Sequence, residues 1–156
     1  MLDEALEVLD GLWRGETFSY QGQYYQIEEV KFLPKLVQAP RIPIWIGGGY
    51  PKKGPTASAN RWDGACLFRY TGSAAWLDMT PDDVRALKTF VAEQRRSMDG
   101  YAIAIGGRER HANWAQERAY IRSIAEAGAT WWMEALAPAE LDQLRSHIKR
   151  GPLRID

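Results

Sequence analysis

The residues best suited to chemistry lie in IWIGGGYPKKGPT, residues 44–56, where an apolar run delivers Gly47, Gly48 and Gly49, then Lys52 and Lys53, then a proline. Glycines let backbone N–H groups approach an anion, the start of a following helix adds partial positive charge, and the two lysines add full charges. Phosphate is the guest that suits this pattern. The nucleoside-triphosphate loop GxxxxGK[ST] is matched from Gly49 to Thr56 except that Pro55 stands where the lysine must be, which removes that reading. The dinucleotide pattern GxGxxG, started at Gly47, fails at Lys52. A tight strand-to-helix corner with solvated lysines would use the same residues, so the functional and the purely structural reading both stand.

A second group sits in GGRERHANW, where Arg108, Arg110 and His111 follow an apolar run and precede a capped helix. Cations at that place suit a carboxylate or phosphate, and a solvated charge run would look the same. Glu134 ends the run TWWME, a position for a general base or for an acceptor from a ligand hydroxyl, or for a structural partner of an arginine. His147 lies near the basic end of the last helix and suits an interaction with its dipole. No ligand set for a metal can be assembled, and Cys66, in mid-strand, reads as inert packing. No Ser/His/Asp or Cys/His nucleophile constellation emerges from the spacing.

These groups need elements to hold them. Leu2, Leu6, Leu9 and Leu12/Trp13 recur at helical spacing with acidic residues first and Gly15 beyond the end, so the chain is expected to open inside an amphipathic helix entered from upstream in longer relatives. Aromatics flanking Gln21 and Gly22 predict a hairpin, and FLPKLVQAPRIP an extended linker. From Ile44 the pattern alternates: strands near 44, 64, 101 and 130, each followed by a helix. Thr80, Pro81, Asp82 and Asp83 cap a helix with Val84, Leu87, Val91 and Met98 on one face. Asn113 with Gln116 caps the next, whose stripe is Trp114, Ile121, Ile124 and Ala125 up to Gly128. The last is expected to start at Pro138 with Leu141, Leu144 and Ile148 inward, and to stop at Gly151 and Pro152. Trp131 and Trp132, adjacent in one strand, must face opposite sides.

Strand spacing of about 30 residues is that of a (β/α)8 barrel, which takes about 250 residues. The 156 residues therefore hold four units, α/β and half of a (β/α)8 TIM barrel, preceded by a helix and a β-hairpin. The whole is read as a single domain, residues 1–43 being helix, hairpin and linker and 44–150 the four units. Two strands end alike, in IWIGGG and IAIGGR, as duplicated units do. Twenty basic residues balance twenty acidic ones, which removes the electrostatic footprint of a nucleic-acid binder or a polybasic membrane-surface protein. Apolar runs are too short for a bilayer span, the acidic start is unlike a signal peptide, and a single cysteine fits a reducing compartment, so a cytoplasmic location is expected.

The blocks LDEALEVLDGLWRGETFSYQGQYYQI, FLPKLVQAPRIPIWIGGG, RWDGA, GATWWMEAL and IKRGPLR, in this order over essentially the whole chain, resemble the C-terminal half of the bacterial luciferase-like monooxygenase family. Leu36 departs from the pattern, where relatives usually carry a second proline. The resemblance implies a (β/α)8 barrel that binds reduced FMN or the deazaflavin coenzyme F-420 at the C-terminal ends of its strands, for oxygenation or hydride transfer on a small organic substrate. It places Gly47, Gly48 and Gly49 against the cofactor, and the charge pattern of the loop adds Lys52 and Lys53 as cofactor-binding candidates. By position, Arg108, Arg110, His111 and Glu134 join the rim of the same pocket. The residues that the family keeps on its first four strands have no counterpart here, so the site is expected to be incomplete in one copy. Four strands cut from a ring have two unpaired edges, and a homo-oligomer or a complementary half-barrel is the expected partner. The competing expectation is a truncated, non-catalytic half-barrel that self-associates or binds.

Overall fold

The structure, a computed structural model, describes residues 1–72, 77–136 and 138–155. The chain divides into two compact units, residues 1–43 and 44–156. In the first, α1 (Leu2–Trp13) carries Asp3 and Glu4 in its first turn, where carboxylates meet the positive end of the dipole. Strand β1 (Thr17–Gln21) pairs antiparallel with β2 (Gln26–Lys31), with a bulge between Phe18 and Tyr20. Glu4 clips the hairpin turn to the helix by accepting from the backbone N–H groups of Gln23, Tyr24 and Tyr25 at 3.1, 2.8 and 3.3 Å. The Tyr20 hydroxyl donates to Glu7 at 2.8 Å. A side chain at Gly22 would collide with Glu4 and Tyr20, so the clip itself demands glycine there. Arg41 bonds Asp10 at 2.6 Å and ties the proline-rich segment back to the helix.

The second unit alternates strand and helix: β3 (Trp45–Tyr50), α2 (Lys53–Arg61), β4 (Gly64–Arg69), α3 (Pro81–Gln94), β5 (Ala102–Arg108), α4 (Trp114–Ala127), β6 (Trp131–Glu134) and α5 (Leu141–Arg150). The strands form one parallel sheet in the order β3-β4-β5-β6. Residues in register share a face, and successive residues alternate. The face carrying Ile46, Ala65, Leu67, Ile103 and Ile105 is buried with Val84, Leu87 and Val91 of α3 and Ile121 and Ile124 of α4. Each of these larger side chains contributes about 1.5–3 kcal/mol on burial, which makes this the core of the unit.

The other face is different. Trp45 lies in register with Gly64 and Ala102, and Gly47 with Cys66, Ala104 and Trp131. These two layers are a floor of small residues with one tryptophan on each outer strand, and the layer above them adds Phe68 beside Gly49 and Met133 beside Gly106. On a flat sheet those strands would stand three spacings, about 14 Å, apart with parallel side chains. The two indole centroids are 5.5 Å apart, so the sheet curves around this face and the rings meet across it.

Several sequence expectations require correction. Helix α3 stops at Gln94, because Arg95 turns to extended geometry and donates to the Asn60 and Trp62 carbonyls; Met98 therefore falls outside its stripe. In α4 the buried positions are Glu117, Ile121, Ile124 and Ala127, while Trp114 and Ala125 are exposed. Helix α5 starts at Leu141 rather than Pro138 and buries none of its residues, so Leu141 and Ile148 do not point into a core. Among the described residues no helix is long and apolar enough to cross a membrane.

The Glu4 clip carries a pH signature. The Tyr24 N–H above all, with those of Gln23 and Tyr25, outweighs desolvation and holds the Glu4 carboxyl below its ordinary value. A depressed folded value means that the clip's stabilisation is complete above the unfolded pKa and is lost as pH falls through the folded one. Glu4→Gln is therefore expected to lower the hydrogen-exchange protection of the 23–25 amides at neutral pH and to converge with the parent in acid. Equal protection at neutral pH would refute the clip.

Candidate functional site

The C-terminal ends of the parallel strands, where parallel α/β folds place their sites, carry two kinds of groups. At the end of β3 the three glycines have three different reasons to be there. Gly48 has φ +153°, and a Cβ would stand 2.6 Å from the Pro55 ring, so it admits the close approach of α2. At Gly49 a Cβ would stand 2.8 Å from the Tyr70 Cβ. At Gly47 a Cβ would meet only the Cys66 carbonyl oxygen, at 3.8 Å. Packing explains Gly48 and Gly49, whereas Gly47 leaves a bare, accessible strip of backbone on the concave face.

After Tyr50 and Pro51, helix α2 begins with Lys52 at its N-cap and no side-chain cap, so the N–H groups of Lys53 and Gly54 keep their capacity to donate, while Pro55 has none. The Lys52 ammonium lies 3.6 Å from the centroid of the Tyr70 ring. Lys53 lines a cavity of about 420 Å³ with Tyr50, Pro51, Thr56, Ala57 and Phe90. Burial, then the charge of Asp83, raises the Tyr50 phenol above its ordinary pKa, so it is a neutral donor there. Both lysines are exposed, and neither forms an ion pair among the described residues.

The arginines at the ends of β5 and beyond are already engaged. Arg108 grips Glu117 of α4 with two bonds of 3.0 Å, and its Nε donates to Asp78. Glu117 is only 2% exposed, and an unpaired carboxylate there would be prohibitively costly. Burial works to lower the Arg108 pKa, but the bonds to Glu117 and Asp78 prevail and hold it above its ordinary value. Tyr120 and Trp132 pack against the same guanidinium. The other Asp78 oxygen, Oδ1, and the Trp132 indole Nε1 are buried without a hydrogen-bond partner among the described residues.

Arg110 donates twice to Glu134 Oε2, at 2.7 and 3.1 Å, and once to the Gly151 carbonyl at 2.8 Å. Arg150 approaches the other Glu134 oxygen at 3.5 Å, and both guanidinium groups lie against the Trp114 ring. This cluster fastens the end of α5 to the strand ends. His111 accepts from the Asn113 N–H at 3.1 Å in the exposed loop before α4, where Asn113 caps Ala115 and Gln116. His147 lines a smaller cavity with Trp132 and Glu134.

The structure thus unites Arg110 with Glu134 and brings Lys52 beside Gly49, while Lys53 faces the cavity lined by Tyr50 and Phe90, and among the described residues no hydrogen bond or ion pair links the two sets. The sequence reading missed Asp78 and Glu117. Glu117 was detectable, since 117, 121 and 124 fall on one helical face and a carboxylate on an apolar stripe demands a cation.

Comparison with known proteins identifies the lineage. The luciferase-like monooxygenase family matches residues 1–151, and the chain belongs to that family. It is 27% identical over 105 residues to an FMNH2-dependent dimethylsulfone monooxygenase of Pseudomonas putida, covering 67% of this chain and 26% of that protein. It is 34% identical over 50 residues to an F-420-dependent glucose-6-phosphate dehydrogenase of Microbacterium testaceum, covering 32% of this chain and 14% of the relative. The crystal structure of DmoA from Hyphomicrobium sulfonivorans aligns with a TM-score of 0.47 at 19% identity, over 96% of this chain and 39% of that one. The chain matches well under half the length of each of these relatives.

Arg110 is 5% exposed and its pairing with Glu134 is correspondingly sheltered. Breaking such a pair from one side leaves a carboxylate without its main partner, at about 2–4 kcal/mol. Arg110→Met is expected to lower the stability from urea unfolding by that amount. A loss below about 0.5 kcal/mol would mean that the side chain is free to serve a ligand instead.

Proposed function

We propose that this chain contributes the C-terminal side of the cofactor pocket of a luciferase-like oxidoreductase or monooxygenase that uses reduced FMN or a deazaflavin. The observation that carries the reading is Gly47, the one glycine of three that packing leaves unexplained. Its strand leads through Tyr50 and Pro51 into an uncapped helix start and two lysines without ion pairs among the described residues, a combination suited to the phosphate of a flavin-type cofactor. The family membership supports that choice among anions, and both cofactors occur in the names of its relatives.

In this reading the helix start and Lys52 and Lys53 neutralise the phosphate, and the missing side chain at Gly47 lets the backbone approach it. Arg108, Arg110 and Glu134 hold the rim in shape by their own ion pairs, and His111 belongs to the loop that caps α4. Once bound, the cofactor supplies the redox chemistry. The four parallel strands form one arc of a (β/α)8 barrel: the sheet curves around the concave face, β3 and β6 are its outer strands, and a complementary arc must complete the pocket.

Titration of the full chain with FMN and with F-420, followed by fluorescence, is the test. Gly47→Ala is expected to melt like the parent and to bind about tenfold more weakly, a loss of about 1.4 kcal/mol. Gly48→Ala is expected to be destabilised, since its strained φ and the Pro55 contact forbid a Cβ. Paired Lys52→Ala and Lys53→Ala changes should flatten the salt dependence of binding. Unchanged affinity in Gly47→Ala, or no saturable binding of either cofactor by the parent, would sink the assignment.

A further inference from the structure

A Cβ added at Gly49 would point to the same face of β3 as one added at Gly47, because alternate residues of a strand share a face. The atoms it would meet there are the Tyr70 Cβ at 2.8 Å, the Tyr70 Cγ at 3.3 Å and the Lys52 Cδ at 3.6 Å. Tyr70 and the stem of Lys52 therefore stand at the strand end on the concave side, the side on which Gly47 leaves its backbone bare. Their neighbours go elsewhere, since Tyr50 and Lys53 line the cavity shared with Phe90 of α3. The two lysines are adjacent in sequence but not equivalent in place.

Everything in Lys52 except its side chain is fixed by the loop. Its N–H donates to the Gly49 carbonyl at 3.0 Å, and its carbonyl accepts from the Thr56 N–H at 3.3 Å and the Thr56 hydroxyl at 2.8 Å. Tyr70 is tied to the same strand, its N–H donating to the Tyr50 carbonyl at 2.8 Å. The remaining freedom lies in the four-carbon stem, and a lysine that must be held still to bind an anion loses much rotamer entropy. The Tyr70 ring lowers that cost. The ammonium stands 3.6 Å from the ring centroid, well inside the ~6 Å range of a cation–π contact. A carboxylate in the ring's place would hold the lysine and also neutralise it, whereas a neutral aromatic face holds it and leaves its charge for a ligand. The ring covers one side of the ammonium, and the other donors stay available.

We infer that Tyr70 is a positioning residue for the cofactor phosphate, acting through Lys52; this rests on the phosphate reading above. The ring keeps the ammonium at the strand end before the ligand arrives, so the anion meets a charge already in place. The aromatic face does this and the hydroxyl does not. Tyr70 thereby favours a phosphorylated flavin over its phosphate-free form and is indifferent to the flavin ring itself.

Fluorescence titration of the full chain with FMN and with riboflavin, which lacks the phosphate, provides the test, with F-420 and its phosphate-free deazaflavin as the matching pair. The arms are read on whichever pair binds. Tyr70→Leu is expected to weaken the phosphorylated member about three- to fivefold and to leave the other unchanged, whereas Tyr70→Phe keeps the ring and should match the parent for both. In a Lys52→Met background, Tyr70→Leu should have no further effect. Without cofactor, the ring should displace the Lys52 ε-methylene proton signals upfield in the parent and in Tyr70→Phe. The inference is overturned by a Tyr70→Leu chain that binds the phosphorylated member like the parent or loses both members equally. It is overturned equally by a Tyr70→Phe chain that behaves like Tyr70→Leu, or by Lys52 signals at their ordinary positions in the parent. A parent with no preference for the phosphorylated member of either pair refutes the phosphate reading and this inference with it. A parent that has the preference, with Tyr70→Leu unchanged, refutes the inference alone.

Discussion

The two-residue alternation of a parallel strand divides this chain's chemistry between two faces of one sheet, and everything else follows from how unequally those faces are satisfied. The outward face is saturated: Ile46, Leu67, Ile103 and Ile105 are sealed by α3 and α4. The inward face carries glycine, alanine, Cys66, Phe68 and Met133, with two indoles whose centroids are 5.5 Å apart. Those indoles set the curvature, because rings on the two outermost strands meet only if the sheet bends toward them. Gly64 shows how tight the arrangement is, since a Cβ there would stand 2.8 Å from the Trp45 ring. Curvature in turn directs the strand ends, and with them Gly47, toward a common concavity.

Electrostatics at the strand ends obeys a simple rule of burial. A carboxylate removed from water must find a cation, and the most sheltered one, Glu117, takes the bidentate fork of Arg108. Glu134 takes two bonds from Arg110 on one oxygen, Oε2, and the bond from Arg110 to the Gly151 carbonyl extends that anchor to the end of α5. The planar guanidinium suits such sheltered pairs, while the compact, strongly hydrated ammonium suits an exposed position. The division of labour between arginines and lysines thus follows from hydration, and it leaves the lysines beside α2 as the charges able to meet an incoming anion.

Much of this was legible in the sequence, and the exceptions share a cause. Thr80 and Asp83 form the reciprocal capping box that their spacing announces, and Asn113 caps α4 through bonds to Ala115 and Gln116. The hairpin, the proline-rich segment and the parallel order of four strands follow equally local rules. What sequence periodicity cannot supply is the partner opposite a residue. The stripe of α5 is as regular as that of α3, but Val84, Leu87 and Val91 are buried and Leu141 and Ile148 are not. Periodicity reports which face a helix would bury, and only the neighbouring strand decides whether it does. The same limit hid Asp78 and Glu117, which become the partners of Arg108 only once β5 and α4 stand side by side. The glycine run is the finest case: one motif, GGG, contains two residues required by Pro55 and Tyr70 and one that no contact among the described residues requires.

That residual freedom at Gly47 and the uncovered stripe of α5 are, physically, the same kind of statement. In each case the chain keeps a shape whose cost is not offset by its own contacts: glycine in a strand weakens it, and exposed apolar side chains gain nothing from burial. Selection for stability alone would place a β-branched residue at 47 and polar residues at 141 and 148. The departures fall at two separate places, the strand ends and the outer flank, and they call for different guests. A bare backbone next to a positively polarised helix start selects a small anion. An apolar stripe beside the last strand of the sheet suits an apolar surface. The strand ends and the outer flank therefore present chemically different surfaces, one polar and one apolar.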